Sequence, residues 1–186
     1  MLKPAFALFT LQELPFSRFD FPRWQSALAI CLIGALIGLD PALRHGTDGA
    51  PAKPILACLM FGLISNWLTA LLIVGLLKWW LKRGQRWDGQ GDLFNLLVAS
   101  WLVASVLGAG ATALGVPLLL IFPLWLYSIW VGANAISSAI PRASLGYAIG
   151  GIAMSLVPAV LAAGLALAAT TMALLASGMI AAPAAA

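Results

Sequence analysis

Residues 93–141 read LFNLLVASWLVASVLGAGATALGVPLLLIFPLWLYSIWVGANAISSAIP, and these 49 residues carry no charged side chain. A helix rises about 1.5 Å per residue, so about 20 apolar residues cross the roughly 30 Å of hydrocarbon in a bilayer. The stretch is therefore too long for one transmembrane helix and fits two, which a Gly-Val-Pro turn at 115–117 divides. We predict transmembrane spans at 93–114 and 118–136.

The composition of the whole chain leads to the same class of protein. Its 186 residues are 62% hydrophobic and 9% charged, whereas a soluble domain is about 45–50% apolar and about 25% charged. So few charges cannot cover a globular surface, which excludes a soluble enzyme and an extended disordered protein. We expect a single all-α domain, a polytopic membrane helix bundle.

Three further apolar runs complete the bundle. The run at 24–39 is short, because 16 residues reach only about 24 Å at the helical rise. The runs at 54–77 and 144–171 are long enough to cross a bilayer, although the latter contains a proline. The sequence therefore predicts about five transmembrane helices within a domain at 24–175.

The two ends of the chain differ from this domain. Residues 176–186 form a predicted Ala-rich C-terminal tail. Residues 1–23 mix basic side chains with aromatic ones, a composition that suits an interfacial segment lying along the lipid headgroups. Packing of this segment against its own helix bundle is an equally good interpretation. Its aromatic residues are Phe6, Phe9, Phe16, Phe19 and Phe21.

Basic and aromatic residues at the span ends indicate interfacial anchors and an orientation. The predicted anchors are Trp24, Trp79, Trp80, Lys82, Arg83 and Arg142. With five spans, the N-terminal segment, the second loop and the fourth loop share one side and hold eight basic residues, against Arg44 and Lys53 on the other side. The excess of positive charge predicts a cytoplasmic N-terminus and a C-terminus on the opposite side. Charges placed in this way indicate membrane topology and not a nucleic-acid-binding face.

Small and polar residues within the spans are candidates for helix packing. Glycines four residues apart let helix backbones approach closely, and asparagine in lipid hydrogen-bonds between helices, at about 0.6 kcal/mol on average. The predicted packing and polar-network residues are Gly34, Gly38, Asn66, Asn95, Asn134, Gly146 and Gly150. The functional alternative is a polar path through the bundle near Asn134 and Ser155.

Catalytic and metal-binding patterns are missing from the sequence. It contains no GxSxG, phosphate-binding loop, paired carboxylates or HExxH, so we expect no enzymatic activity and no catalytic residue. Cys31 and Cys58 each lie inside an apolar run without a ligand cluster, which favours structural thiols over a metal or redox site. We expect no cofactor and no bound metal.

Three segments resemble a known family. Residues 92–99 read DLFNLLVA, residues 126–134 read LYSIWVGAN, and residues 140–148 read IPRASLGYA. This order is similar to bacterial members of the Yip1 superfamily, in which a Tyr-containing span ends in a Pro-Arg or Pro-Lys turn before a final helix. The resemblance covers about residues 55–170 and implies five helices, a cytoplasmic N-terminus and a bacterial inner-membrane location. The Asp-Leu-Tyr-Gly-Pro motif of eukaryotic members is absent, so their link to Rab GTPases is not carried over.

These features lead to one principal functional hypothesis and two alternatives. The principal hypothesis is a non-enzymatic scaffold or accessory subunit of a larger membrane assembly, in contact with membrane lipids and with a protein partner or a second copy of the chain. The alternatives are a small transporter or channel and a lipid-handling or membrane-shaping protein. No nucleic-acid partner is expected.

Overall fold

The computed structural model describes residues 1–45 and 52–178, and all regular structure within them is helical. This confirms the all-α fold class. Of the predicted Ala-rich tail, residues 179–186 lie outside the described residues. The described elements are α1 (Leu2–Phe9), a 3-10 turn (Phe16–Phe19), α2 (Arg23–Gly38), α3 (Pro41–His45), α4 (Ile55–Arg83), α5 (Leu93–Ala113), α6 (Leu118–Ala139) and α7 (Leu145–Ala176).

Four of these helices, α4 to α7, are long and apolar enough to cross a membrane. Helix α2 is also apolar but has 16 residues, so its role as a fifth span stays a prediction. Helix α4 runs to Arg83, six residues beyond the predicted end of its span. Helices α6 and α7 continue through Pro123 and Pro158, so neither proline breaks its helix.

The local sequence explains where the long helices begin. Pro22, Pro54 and Pro117 stand immediately before α2, α4 and α6, where a fixed φ suits the start of a helix and no backbone donor is lost. Helix α5 begins instead at Asp92, whose Oδ1 accepts hydrogen bonds from the backbone N–H groups of Phe94 and Asn95 at 3.1 and 3.2 Å. This is the side-chain cap expected of aspartate at a helix N-terminus.

The five longest helices form a closed ring. Helix α2 contacts α4 and α5, α4 contacts α7, α7 contacts α6, and α6 contacts α5. One end of the ring, where α4 and α6 end and α5 and α7 begin, is filled by large buried side chains. These are Leu77, Leu81, Leu93, Leu96, Leu97, Val131 and Ile136. This end, called the packed end below, carries most of the apolar core.

The N-terminal segment packs against the same bundle. Helix α1 contacts α5 and α6, with Ala5 and Leu8 buried. Phe19 of the 3-10 turn is 0% exposed, and the Phe9 ring meets Tyr127 edge to face at 5.3 Å. Residues 1–23 therefore pack on the helix bundle. Leu2 and Phe6 remain 66% and 60% exposed, so the interfacial position of the segment stays a prediction.

Candidate functional site

A partly open cavity of about 220 Å³ lies between the helices of the ring, and side chains from all five helices line it. Four of the lining residues carry a hydroxyl or an amide: Asn66 and Thr69 of α4, Ser105 of α5 and Ser128 of α6. Trp101 adds an indole N–H to the same wall. We call this space the central cavity. None of the residues that line it is ionisable.

Two of these polar groups are already paired with the backbone. The Asn66 amide donates from Nδ2 to the carbonyl of Ile30 at 2.7 Å, and the Ser128 hydroxyl donates to the carbonyl of Trp125 at 2.6 Å. These bonds orient both side chains and leave oxygen lone pairs available to the cavity.

The hydroxyls of Thr69 and Ser105 and the indole N–H of Trp101 have no hydrogen-bond partner among the described residues. Every fully buried side-chain nitrogen or oxygen in the described part of the chain does have one. The three unpaired groups are therefore open to the space that they line, where water or a solute can pair with them.

The size of the central cavity limits what can occupy it. At about 30 Å³ per liquid water molecule, 220 Å³ holds about seven waters. Sites for drug-sized ligands usually measure about 300–1,000 Å³. A cavity of this size, with hydrogen-bonding groups and no charge, suits water or a small uncharged polar molecule.

A second cavity of about 390 Å³ adjoins the first and leads away from the packed end. The two spaces share Ile33, Ile37 and Ser105 in their walls. The second one reaches Asp40 and Ala113, at the opposite ends of α2 and α5 from the packed end. The second space thus extends along α2 and α5 from the wall of the central cavity to the Asp40 end, while the leucine-rich core fills the other end.

Gly34 and Gly38 lie where α2 crosses α4. A Cβ atom at Gly38 would come within 2.6 Å of the Cys58 carbonyl oxygen, and one at Gly34 within 2.9 Å of the Gly62 carbonyl oxygen. Gly62 of α4 faces them with equally little room, since a Cβ there would meet the Gly34 carbonyl. Sequence reasoning missed Gly62, because the other glycine of α4, Gly75, lies 13 residues further on and forms no four-residue spacing with it.

Within the chain, Gly146 and Gly150 do not lie at a close helix contact, so packing through them between copies of the chain stays a prediction. A Cβ atom at Gly146 would meet nothing within 4 Å, and one at Gly150 would make only an ordinary contact with Trp80. The close approach in α7 occurs at the next residue, Gly151, where a Cβ would lie 2.7 Å from Trp80 Cδ1. A four-residue spacing does not identify which face of an apolar helix meets its neighbour.

The three asparagines have different surroundings. Asn66 bonds across to α2, as described above. Asn95 is buried and links α5 to the N-terminal segment: its Nδ2 donates to the carbonyls of Phe19 and Phe21 at 2.9 and 2.7 Å, and its Oδ1 accepts from Ser26 at 2.7 Å. Asn134, predicted to bond between helices, donates instead to Trp130 of its own helix at 3.0 Å.

Neither residue of the predicted polar path lines the central cavity. The Ser155 hydroxyl is buried and donates to the carbonyl of Gly151 in its own helix at 2.7 Å. Asn134 bonds within α6 and is likewise absent from the cavity wall. The polar side chains that line the cavity are Asn66, Thr69, Trp101, Ser105 and Ser128.

Most of the predicted anchors lie on the outside of the packed end. Trp24 is exposed, and Trp79 is 51% exposed with the Arg83 guanidinium 5.1 Å from its ring centroid. Lys82 lies 6.0 Å from the buried Trp87 ring, and Arg142 is exposed. Trp80 differs from the others, because it is half-buried and turned towards α7.

Comparison of the chain with models of protein families, with curated proteins and with solved structures finds no match. Among the described residues, no three His, Cys, Asp or Glu side chains form a group that could hold a metal ion. The central cavity is the place within the ring where polar side chains of three helices meet.

Proposed function

We propose that the chain is a non-enzymatic multi-pass membrane protein that admits a small uncharged polar solute into its helix ring, as a small transporter or channel. The observation that carries this proposal is the central cavity, where hydrogen-bonding side chains from three helices converge on a space of about 220 Å³. Cavities between the helices of a bundle are common positions for ligand sites.

The unpaired hydroxyls of Thr69 and Ser105 support this proposal. A hydroxyl moved from water into an apolar environment without a hydrogen bond costs about 1–3 kcal/mol by protein mutational data. Water in the central cavity offsets that cost in the resting state. A solute that presents its own donors and acceptors can replace this water with little loss, whereas an ion finds no charged partner there.

We also propose a topology and a family for the chain. The resemblance to bacterial Yip1 proteins and the eight-to-two distribution of basic residues support five spans, including α2, with a cytoplasmic N-terminus in a bacterial inner membrane. Cysteine labelling tests the topology in a background with both natural cysteines replaced. Glu13→Cys and Arg86→Cys should react with an impermeant maleimide from the cytoplasmic side, and Lys53→Cys from the other. Labelling of Glu13→Cys and Lys53→Cys from one side would rule out α2 as a span.

Osmotic shrinkage of proteoliposomes tests the solute pathway. Vesicles that contain the full chain should admit urea and water faster than protein-free vesicles. Ser105→Leu places four carbons in the central cavity and should remove most of this difference. Gly110→Leu is the matched control on the same helix, because a Cβ atom at Gly110 meets nothing within 4 Å and Gly110 does not line the central cavity, and it should preserve the flux. Equal rates in wild-type and protein-free vesicles would reject the proposal.

The scaffold or accessory-subunit function is the second candidate. The observation in its favour is the outer face of α7, where Val157, Leu161, Leu165 and Met172 are all exposed. Extraction of the native protein into nanodiscs, followed by mass determination, tests this function. A stoichiometric protein partner would support the accessory-subunit function. A lone chain would count against it and favour the transport function.

A further inference from the structure

A second pocket lies at the packed end and has a different chemistry from the central cavity. It measures about 600 Å³ and forms where the 3-10 turn, the loop between α4 and α5, and the connection between α6 and α7 come together. Four charged residues line it: Asp20 from the turn, Arg86 and Asp88 from the loop, and Arg142 from the connection. We call it the end pocket.

The charges of the end pocket are balanced but not paired with each other. Two guanidinium groups and two carboxylates share the wall, yet the ion pair found in the described part of the chain joins Arg23 to Asp92 outside it. The side chains of Asp20 and Arg142 form no hydrogen bond there and are exposed. Both charges are therefore available to a ligand.

The other two charged residues are held in place by the protein. Arg86 donates from Nη1 to the carbonyl of Arg142 at 3.1 Å, and its guanidinium carbon lies 5.4 Å from the Tyr147 ring centroid. One Asp88 carboxylate oxygen accepts from the backbone N–H of Gln90 at 2.9 Å. These contacts fix one cation and one anion of the end pocket before any ligand arrives.

An aromatic pair supports the same wall. The ring of Trp87 is buried and stacks on Phe16, with centroids 6.4 Å apart and planes 8° from parallel. The Trp87 indole N–H also donates to the carbonyl of Gln90 at 2.7 Å. The loop that carries Arg86 and Asp88 is thus tied to the 3-10 turn that carries Asp20.

The end pocket lies at the level where lipid headgroups are expected. Helices α4 and α6 end beside it and α5 and α7 begin beside it. The exposed Trp79, with Arg83 over its ring, marks the same end of α4, and Trp with basic residues is typical of the membrane–water interface. A pocket in this position is filled from the headgroup layer more readily than from bulk solution.

The charges of the end pocket indicate which class of ligand it can bind. Guanidinium groups bind phosphate with charge-assisted hydrogen bonds, and carboxylates accept hydrogen bonds from an ammonium group. A purely anionic ligand would face two carboxylates, and a purely cationic one two arginines. We propose that the end pocket binds the headgroup of a zwitterionic phospholipid with a primary ammonium group, its phosphate at Arg86 and Arg142 and its ammonium at Asp20 and Asp88.

Lipid retention by the full-length protein tests this proposal. The purified chain in detergent is mixed with equal amounts of phosphatidylethanolamine, phosphatidylcholine and phosphatidylglycerol, and the retained lipid is measured by native mass spectrometry. Wild type should retain phosphatidylethanolamine most strongly. Phosphatidylcholine has the same phosphate but no ammonium N–H, and phosphatidylglycerol has no ammonium at all, so each should be retained less.

Two variants that change exposed residues probe the two halves of the headgroup. Arg142→Gln should weaken retention of phosphatidylethanolamine about tenfold, as expected from the loss of one charge-assisted hydrogen bond. Asp20→Asn should reverse the preference towards phosphatidylglycerol, because it leaves the end pocket with a net positive charge. Arg18→Gln and Glu13→Gln remove exposed charges that do not line the pocket and serve as matched controls with wild-type retention.

Three results would overturn the proposal. The first is equal retention of the three lipids by wild type, and the second is the same loss in the control variants as in Arg142→Gln. The third concerns the source of the headgroup. If soluble glycerophosphoethanolamine or inorganic phosphate saturates the end pocket while the lipid is not retained, the ligand comes from solution and not from the membrane.

Discussion

Trp80 and Tyr147 exchange hydrogen bonds between α4 and α7. The Trp80 indole N–H donates to the carbonyl of Tyr147 at 3.3 Å, and the Tyr147 hydroxyl donates to the carbonyl of Trp80 at 2.8 Å. Their ring centroids are 5.1 Å apart. Each residue thus satisfies the backbone of the other helix, and the pair ties the end of α4 to the first turn of α7, beside the end pocket.

Tyr147→Phe should lower the free energy of unfolding by about 0.5–1.5 kcal/mol, the net contribution of a typical hydrogen bond. The ring contact with Trp80 remains in this variant, so the loss reports the hydroxyl alone. Unfolding of the purified protein by sodium dodecyl sulfate in mixed micelles measures it. Trp79→Phe changes an exposed neighbour and should leave stability nearly unchanged. A larger effect of Trp79→Phe than of Tyr147→Phe would contradict this assignment.

Asn95→Leu should be far more damaging than the same change at Asn134. The first variant leaves the carbonyls of Phe19 and Phe21 without their donor, and each buried group left unpaired costs about 1–3 kcal/mol. The second removes one bond within a single helix. Limited trypsin digestion provides a local readout, because release of the N-terminal segment exposes the bond after Arg18. Equal cleavage of the two variants would show that Asn95 does not hold the segment.

Gly38→Ala should weaken the packing of α2 on α4, whereas Gly146→Ala should not. The new methyl group at Gly38 meets the backbone of Cys58 and Leu59 at 2.6 Å, and backbone atoms cannot rotate away. At Gly146, in the first turn of α7, the methyl group enters open space, and alanine in place of glycine at a compatible position stabilises a protein by about 0.4–1 kcal/mol because the unfolded chain loses conformational freedom. Thermal unfolding in detergent should therefore shift in opposite directions. A gain of stability in both variants would exclude a tight crossing of α2 and α4.

Asp92→Ala should cost more than Arg23→Gln, although the two residues form an ion pair at 2.6 Å. The Arg23 side chain is 73% exposed, and an exposed ion pair contributes about 0–1 kcal/mol. Asp92 also caps α5, and loss of such a cap costs typically about 1 kcal/mol. Unfolding at low and high salt checks this order, because high salt screens the exposed ion pair while the hydrogen bonds of the Asp92 cap remain. A loss in Arg23→Gln that equals or exceeds the loss in Asp92→Ala at high salt would contradict this division.

The helices could be predicted from the sequence. In a membrane the backbone must satisfy its own hydrogen bonds, so the long uncharged runs must be helical, and the Gly-Val-Pro turn at 115–117 divides the longest run into two helices. Their ends are less well predicted: α4 extends through Lys78 to Arg83, since long basic side chains reach water from inside a helix and do not end it. The start of α5 at Asp92 was predictable from cap chemistry alone.

The inner faces of the helices were not predictable. In a helix of a soluble protein the polar side chains identify the face towards solvent. Here all faces of each helix are apolar, so the pattern does not indicate which face points into the bundle. Gly151 and Gly150 therefore look equivalent in the sequence, as do Asn95 and Asn134. In the structure only Gly151 lies at a close helix contact, and only Asn95 hydrogen-bonds to another element. The central cavity could not be predicted for the same reason, since it is formed where the hydroxyls of Thr69 and Ser105 face inward from different helices.

The hydrogen bonds between Asn95 and the N-terminal segment cannot form until Asn95 has been synthesised. Phe19 leaves the ribosome 76 residues before the asparagine that binds its carbonyl, and at about 5–20 residues per second this separation is a delay of roughly 4–15 seconds. The delay is longer for the carbonyl of Phe9, because the Tyr127 hydroxyl that donates to it lies 118 residues later. The N-terminal segment therefore does not have both of these hydrogen-bond partners until α5 and the first part of α6 have been synthesised, and its final packing is a late event in folding.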